Sequence, residues 1–350
     1  MESDSHNSMK KSIGFLLLSA VLGLFSCKND IDLAGEYKDT PIVYCLLNPA
    51  EGTHYIRIQK AFLINGNILE TAKIPDSLKY DPSDLEVKIQ AINPATGQPP
   101  AFPDSLHNPI IFQYQTGSVQ DTGIFATDGL MIYKADKRLD DKLTYHLSIT
   151  NTKLGKEVTA ETPLVRGFTF KNPNAGVMNF NSPSGTGYTL RWGAATNGFV
   201  YQPEIIMRWT EVVLATGVSR ADSVVWTITT KESTAAEAST PGTEMDFNLA
   251  QNSFYRFVGD NVAPNPNVKR VIGNLRFKFY VGTEELNTYI NVNKPSIGLI
   301  QEKPAYTNIS NGLGIFSGRS VFIKDMSFAE PAKDTLIVGT YTKDLNFRRN

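Results

Sequence analysis

Residues able to do chemistry are few in this chain and stand far apart. The four histidines, His6, His54, His107 and His146, form no HExxH helix and no tight Cys/His set, so no metal site is expected. There is no Gly-x-Ser-x-Gly elbow to present a nucleophilic serine. Gly312-Leu313-Gly314-Ile315-Phe316-Ser317 approximates a dinucleotide fingerprint, but it ends in Ser and lacks a strand before it and a helix after it. The acid pairs Asp140-Asp141 and Glu284-Glu285 read as solvated charges, because neighbours point to opposite strand faces or lie along a helix surface. A glycosidase instead needs two carboxylates about 5–10 Å apart across a cleft. The expectation is therefore no catalytic residue, no cofactor and no metal. Trp192, Trp209 and Trp226 each fall on an expected strand. They are either core residues or, if exposed on one face, aromatics that stack on a sugar or another ligand. His54 and His146 fall at or beside alternating strands and are expected to face solvent.

Cys27 is the cysteine with a chemical role to offer. Lys10-Lys11, an apolar run over residues 13–25 and Ser26 precede it. The run is short of the roughly 20 residues of a membrane span and suits an export leader. Leu24-Phe25-Ser26-Cys27 resembles the end of a bacterial lipoprotein signal, which implies lipidation at Cys27 after removal of residues 1–26. Two acyl chains already give stable anchoring. Residues 27–40 then read as a tether. Its Lys28-Asn29-Asp30-Ile31-Asp32 resembles the acidic signal that sends Bacteroidota lipoproteins to the cell surface.

A formal net charge of −1 gives no electrostatic case for nucleic acid as a partner. With Cys27 lipidated, Cys45 has no partner for a disulfide. It sits in Ile42-Val43-Tyr44-Cys45-Leu46-Leu47 and reads as a small buried hydrophobe.

The elements that would carry these residues are strands. Leu85, Val87, Ile89 and Ala91 alternate with polar residues, as do Tyr145, Leu147 and Ile149, and Leu275, Phe277, Phe279 and Val281. Period two places one face in a core and the other in water. Asn/Pro/Gly clusters over residues 93–97 and 172–176 separate the runs. The fold class expected is mainly β, with two β-sandwich-like modules of immunoglobulin or fibronectin type. Residues 41–165 form the first and 166–350 the second, which carries one or two short helices. Thr283 is expected to cap a helix reaching about Asn291, and residues 246–258 are a second helix candidate. Residues 231–242 read as an exposed loop, and residues 321–323 and 335–338 as strands.

Two further patterns carry resemblances. Asp-Ser/Thr-aliphatic recurs at Ser77, Ser105, Ser223 and Thr335. It resembles the O-glycosylation site of exported Bacteroidota proteins and also suits turn starts. The stretch Thr307-Asn308-Ile309-Ser310-Asn311-Gly312-Leu313-Gly314-Ile315-Phe316, with the hairpin over residues 143–163 and the lipoprotein start, resembles a Bacteroidota family of outer-membrane lipoproteins of unknown function. Asn308, Asn311, Gly312, Gly314 and Phe316 carry the motif, read as a tight turn seating Ile309, Ile315 and Phe316 in the core. Genes of this family often neighbour TonB-dependent receptors. The resemblance implies a lipid-anchored accessory or ligand-binding partner of an uptake system, with a glycan or peptide as ligand. Adhesion or scaffolding on glycoproteins, and a glycan-active enzyme, stand as alternatives.

Overall fold

The computed structural model describes residues 40–61, 79–101, 108–116, 130–182, 184–294 and 305–349. The leader, Cys27, the tether up to residue 39, Ser77 and Ser105 lie outside them. The chain is mainly β, in sandwich-like layers. Its first strands are β1 (Thr40–Leu47), β2 (Thr53–Ala61), β3 (Leu85–Ile92), β4 (Ile110–Gln115), β5 (Ile132–Asp136), β6 (Thr144–Asn151) and β7 (Lys156–Pro163). There follow β8 (Thr169–Asn172), β9 (Val177–Met178), β10 (Tyr188–Gly193), β11 (Val200–Val213), β12 (Ser219–Thr227) and β13 (Lys231–Glu232). Then come α1 (Ala235–Ser239), β14 (Glu244–Leu249), α2 (Ser253–Asn261), β15 (Val268–Gly282), α3 (Glu284–Asn293), β16 (Leu313–Phe328), α4 (Glu330–Val338) and β17 (Phe347–Arg348).

Among the described residues two cores form, changing over between Leu164 and Val165. In the first, β4 is shared between two leaves. Its residues Ile110 to Phe112 pair with β3, and Gln113 to Gln115 pair with β5. The leaf β1-β2-β5 therefore folds over the leaf β3-β6-β7, and the inward residues of both meet. Val43, Ile56, Tyr133, Val87, Leu147 and Val158 are among them. Cys45 is buried here, and burial raises its thiol pKa. Ile309 and Phe316 also pack in this first core, although the expected boundary placed them with the second.

The second core lies between the sheet β12-β11-β15-β16 and the small sheet β14-β10-β8. β11, β15 and β16 run to 14, 15 and 16 residues, while β10 and β14 have six each. At about 3.3 Å per residue the small sheet covers less than half of the long strands. Phe254, Tyr255 and Val258 of α2 and Ala332 and Leu336 of α4 join the same core. Two of the four helices, α2 and α4, thus supply cover that the small sheet lacks.

Local chemistry accounts for the helices missed or misplaced. The 231–242 stretch contains β13 and α1, because Thr234 and Glu237 make a reciprocal capping box. Residues 246–258 are not one helix: Asp246 to Leu249 stay in β14, and α2 begins only at Ser253, after Asn252 at φ 62°. Residues 335–338 belong to helix α4, not a strand, with Pro331 in the first turn where its missing N–H costs nothing.

Each core has a buried tyrosine at the head of a long strand. Tyr145 Oη accepts from the Asp140 N–H at 2.8 Å. Tyr201 Oη accepts from the Ala195 N–H at 2.8 Å and donates to the Gly198 carbonyl at 3.2 Å. Burial pushes both phenols up to about 12.

β16 joins the two cores. Leu313 to Gly318 pair in parallel with β1, and Arg319 to Met326 pair antiparallel with β15. Gly314 has φ +106°, and a Cβ there would collide with the Val43 carbonyl. The Asn308 side chain holds the start of this strand by mimicking a neighbouring backbone. Its Nδ2 donates to the Phe316 carbonyl at 2.7 Å, and its Oδ1 accepts from the Phe316 N–H at 3.0 Å. Asn311 takes φ 58° and donates to the Glu157 carbonyl at 3.1 Å. A Cβ on Gly312 would come within 2.9 Å of the Pro41 carbonyl, so the turn needs glycine.

Candidate functional site

Of the two readings of the tryptophans, the core one fits, and they offer no stacking surface. Trp192 is 0% exposed and Trp209 4% exposed in the second core. Trp226 is half-buried on β12 and stacks on Phe257 of α2, with centroids 5.5 Å apart. Trp209 and Trp226 lie on β11 and β12 of the large sheet and Trp192 on β10 of the small sheet, so the packing of the two sheets and α2 covers them. His54 departs from the solvent-facing expectation: it is 2% exposed, its Nε2 lies 2.9 Å from the Lys137 carbonyl, and burial lowers its pKa. His146 faces solvent and sits 3.2 Å from Glu161. Ser223 is exposed on β12, the end strand of the large sheet. Thr335 lies within α4, where its hydroxyl donates to the Pro331 carbonyl at 2.9 Å.

Helix α3 organises the most developed site, and its two sides do different things. One side meets a buried polar junction between the cores. Thr283, Ser317 and Thr162 are each 0% exposed. Ser317 Oγ lies 2.7 Å from Thr283 Oγ1, the Thr283 hydroxyl donates to the Glu285 carboxylate, and Thr162 Oγ1 lies 3.4 Å from Glu285 Oε2. The Gly318 N–H closes the network on Thr162 Oγ1 at 3.0 Å. Thr283 stands at the N-cap as expected, but its hydroxyl serves this network and makes no capping bond. Glu285 is not the solvated charge expected. Burial raises its pKa, while the Thr283 and Thr162 hydroxyls pull it back only in part. Further along the helix the Tyr289 hydroxyl meets Tyr44 of β1, and burial raises its pKa.

The other side of α3 roofs a cleft of about 380 Å³ on the outer face of the second large sheet. Leu286 and Ile290 of the helix, Leu46 of β1 and Val200 of β11 form apolar walls. Gly282 makes the roof possible: a Cβ there would lie 2.6 Å from Leu286 Cδ2 and 3.0 Å from Val200 Cγ1. Gln202, Glu204, Tyr280 and Arg319 supply polar atoms. Glu204 is neutralised by Lys278 at 3.6 Å. Among the described residues Arg319 has no such partner, and its Nε is buried without a hydrogen bond. Nothing in the sequence signalled this cleft, because its walls come from six elements scattered along the chain.

Two larger concavities are more polar. One, about 510 Å³, lies over β3, β6 and β7 between Lys88, His146, Glu161 and Asn308. The other, about 580 Å³, is bounded by Lys60, Asp81, Tyr114 and Lys153. Among the described residues, no group of three or more His, Cys, Asp and Glu gathers as a metal site. No helix among them is long and apolar enough to cross a membrane.

No family model matches the chain, and no curated protein matches it. Two solved structures show distant likeness. A cytokine receptor complex aligns at 11% identity over 81% of this chain and 95% of its own, with a TM-score of 0.22. The C-terminal globular domain of an oligosaccharyltransferase from Pyrococcus abyssi aligns at 11% identity over 69% of this chain and 46% of its own, with a TM-score of 0.25.

Proposed function

We propose that this chain is a non-enzymatic, lipid-anchored outer-membrane lipoprotein facing the cell surface. It captures a ligand for a nutrient-uptake system. The observation that carries the reading is the cleft beneath α3. Its apolar walls, few convergent polar groups and unpaired guanidinium suit reversible small-molecule binding. The basic-apolar start ending at Cys27, and the resemblance of residues 307–316 to lipoproteins encoded beside TonB-dependent receptors, support the location and the partner.

The reading is tested on protein purified from solubilised envelopes. Mass spectrometry is expected to find a diacylated or triacylated N-terminal peptide beginning at Cys27. Co-purification is expected to recover a TonB-dependent β-barrel. An unacylated N-terminus removes the anchor, and repeated recovery without any β-barrel receptor removes the uptake role.

A further inference from the structure

We propose that the cleft under α3 binds a small amphipathic monocarboxylate, its apolar body against Leu46, Leu286 and Ile290 and its carboxylate on Arg319. The proposal rests on the ligand-capture reading above and adds the ligand's chemical class.

Three observations carry it. First, Arg319 lines the cleft and, among the described residues, pairs with no carboxylate, so its guanidinium is left to a negative charge supplied from outside. Arginine meets carboxylates through paired N–H donors in a planar fork, so a carboxylate is the matching acceptor. Second, the charges in and beside the cleft do not cancel. Glu204 is paired with Lys278 at 3.6 Å, which leaves the Arg319 cation to be balanced by one negative charge. A second carboxylate on the ligand would find no further cation among the lining residues, so dianions are disfavoured. Third, Leu46, Val200, Leu286 and Ile290 give an apolar wall beside the uncharged Gln202, Thr227 and Thr230, and the volume of about 380 Å³ lies near the lower end of small-molecule sites, which run from roughly 300 to 1,000 Å³. That space suits a compact apolar body rather than a polymer.

The test uses the full chain and ligand-observed NMR with 3-phenylpropanoate as probe. Its neutral amide and its para-carboxylated dianion serve as comparisons. The monocarboxylate is expected to bind at least tenfold more tightly than either. Arg319→Gln is expected to reduce its affinity to that of the amide, and Leu286→Trp, which fills the cleft, to abolish binding of all three. Equal binding of acid and amide by the unmodified chain overturns the proposal, and that comparison needs no variant to fold. Unchanged acid binding by Arg319→Gln overturns it too, as does no binding at all. The receptor co-purification separates the two readings. A recovered β-barrel with no carboxylate preference sinks only the ligand class. The expected binding pattern without a receptor sinks only the uptake role.

Discussion

The two cores reach the same layered arrangement by different means. The first is filled mainly by aliphatic side chains on β1 to β7, with Phe316 from β16, and its two leaves are of similar length. The second is aromatic, with Trp192 against both Tyr201 and Phe279 and Phe180 stacked on Phe254. Its facing sheets differ more than twofold in strand length, and helices make up the deficit. Alternating strands build a core unaided only when both sheets are equally long. Where they are not, helices with much weaker sequence signals decide what is buried.

All three tryptophans lie in or against the second core, so intrinsic tryptophan fluorescence reports that core, while far-UV circular dichroism reports both. Trp192→Ala is expected to cost about 3–5 kcal/mol. It should shift the fluorescence-detected urea midpoint well below the main dichroism transition. Coincident midpoints would mean that the cores unfold as one unit. Gly314→Ala tests the shared strand. A side chain at φ +106° that meets the Val43 carbonyl is expected to cost about 1–3 kcal/mol, seen as a loss in both probes. A change confined to fluorescence would contradict the role of β16 in joining the cores.

The tyrosines sharpen the comparison at smaller scale. Tyr145→Phe and Tyr201→Phe each leave a backbone N–H without its acceptor and are expected to cost about 1–2 kcal/mol. Because they serve separate cores, the double variant should show additive loss, measured by urea unfolding. Marked non-additivity would couple the cores more tightly than their packing indicates.

The smallest effects concern pH, and they have opposite signs in the two places. His54 in the first core has a lowered pKa, so its contribution is present above the ordinary value of 6.5 and is lost as pH falls through the folded value. Glu285 at the junction has a raised pKa. Its contribution is complete below the ordinary 4.5 and is lost as pH rises through the folded value. His54→Asn should flatten the acid-side fall in melting temperature, and Glu285→Gln should remove the decline on raising pH above 4.5. A Glu285→Gln profile parallel to the unmodified protein would show the carboxylate to be solvated after all.

Much of the strand framework was legible. The alternation at Leu85 to Ala91, at Tyr145 to Ile149 and at Leu275 to Val281 appears as β3, β6 and β15, because a period of two is a local property of consecutive side chains. The α3 helix was legible from Thr283 and the acids after it. The α4 helix was not: Thr335-Leu336-Ile337-Val338 has the composition of a strand, and burial of Leu336 beside Ala332 overrides it. His54 reads as an outward strand residue, yet the loop carrying Lys137 closes over it.

The sequence by itself determined that the long alternating runs extend and that Cys45 is buried. It also carries the lipoprotein-like start on which the proposed location depends. Only the tertiary structure decided which strands pair, that β16 divides itself between two sheets, that the tryptophans are covered, and that Leu46, Leu286 and Arg319 enclose one cleft. Periodicity states which face of an element avoids water. It does not state which distant element covers that face, because that choice rests on strand length and long-range register, which no local window of residues contains.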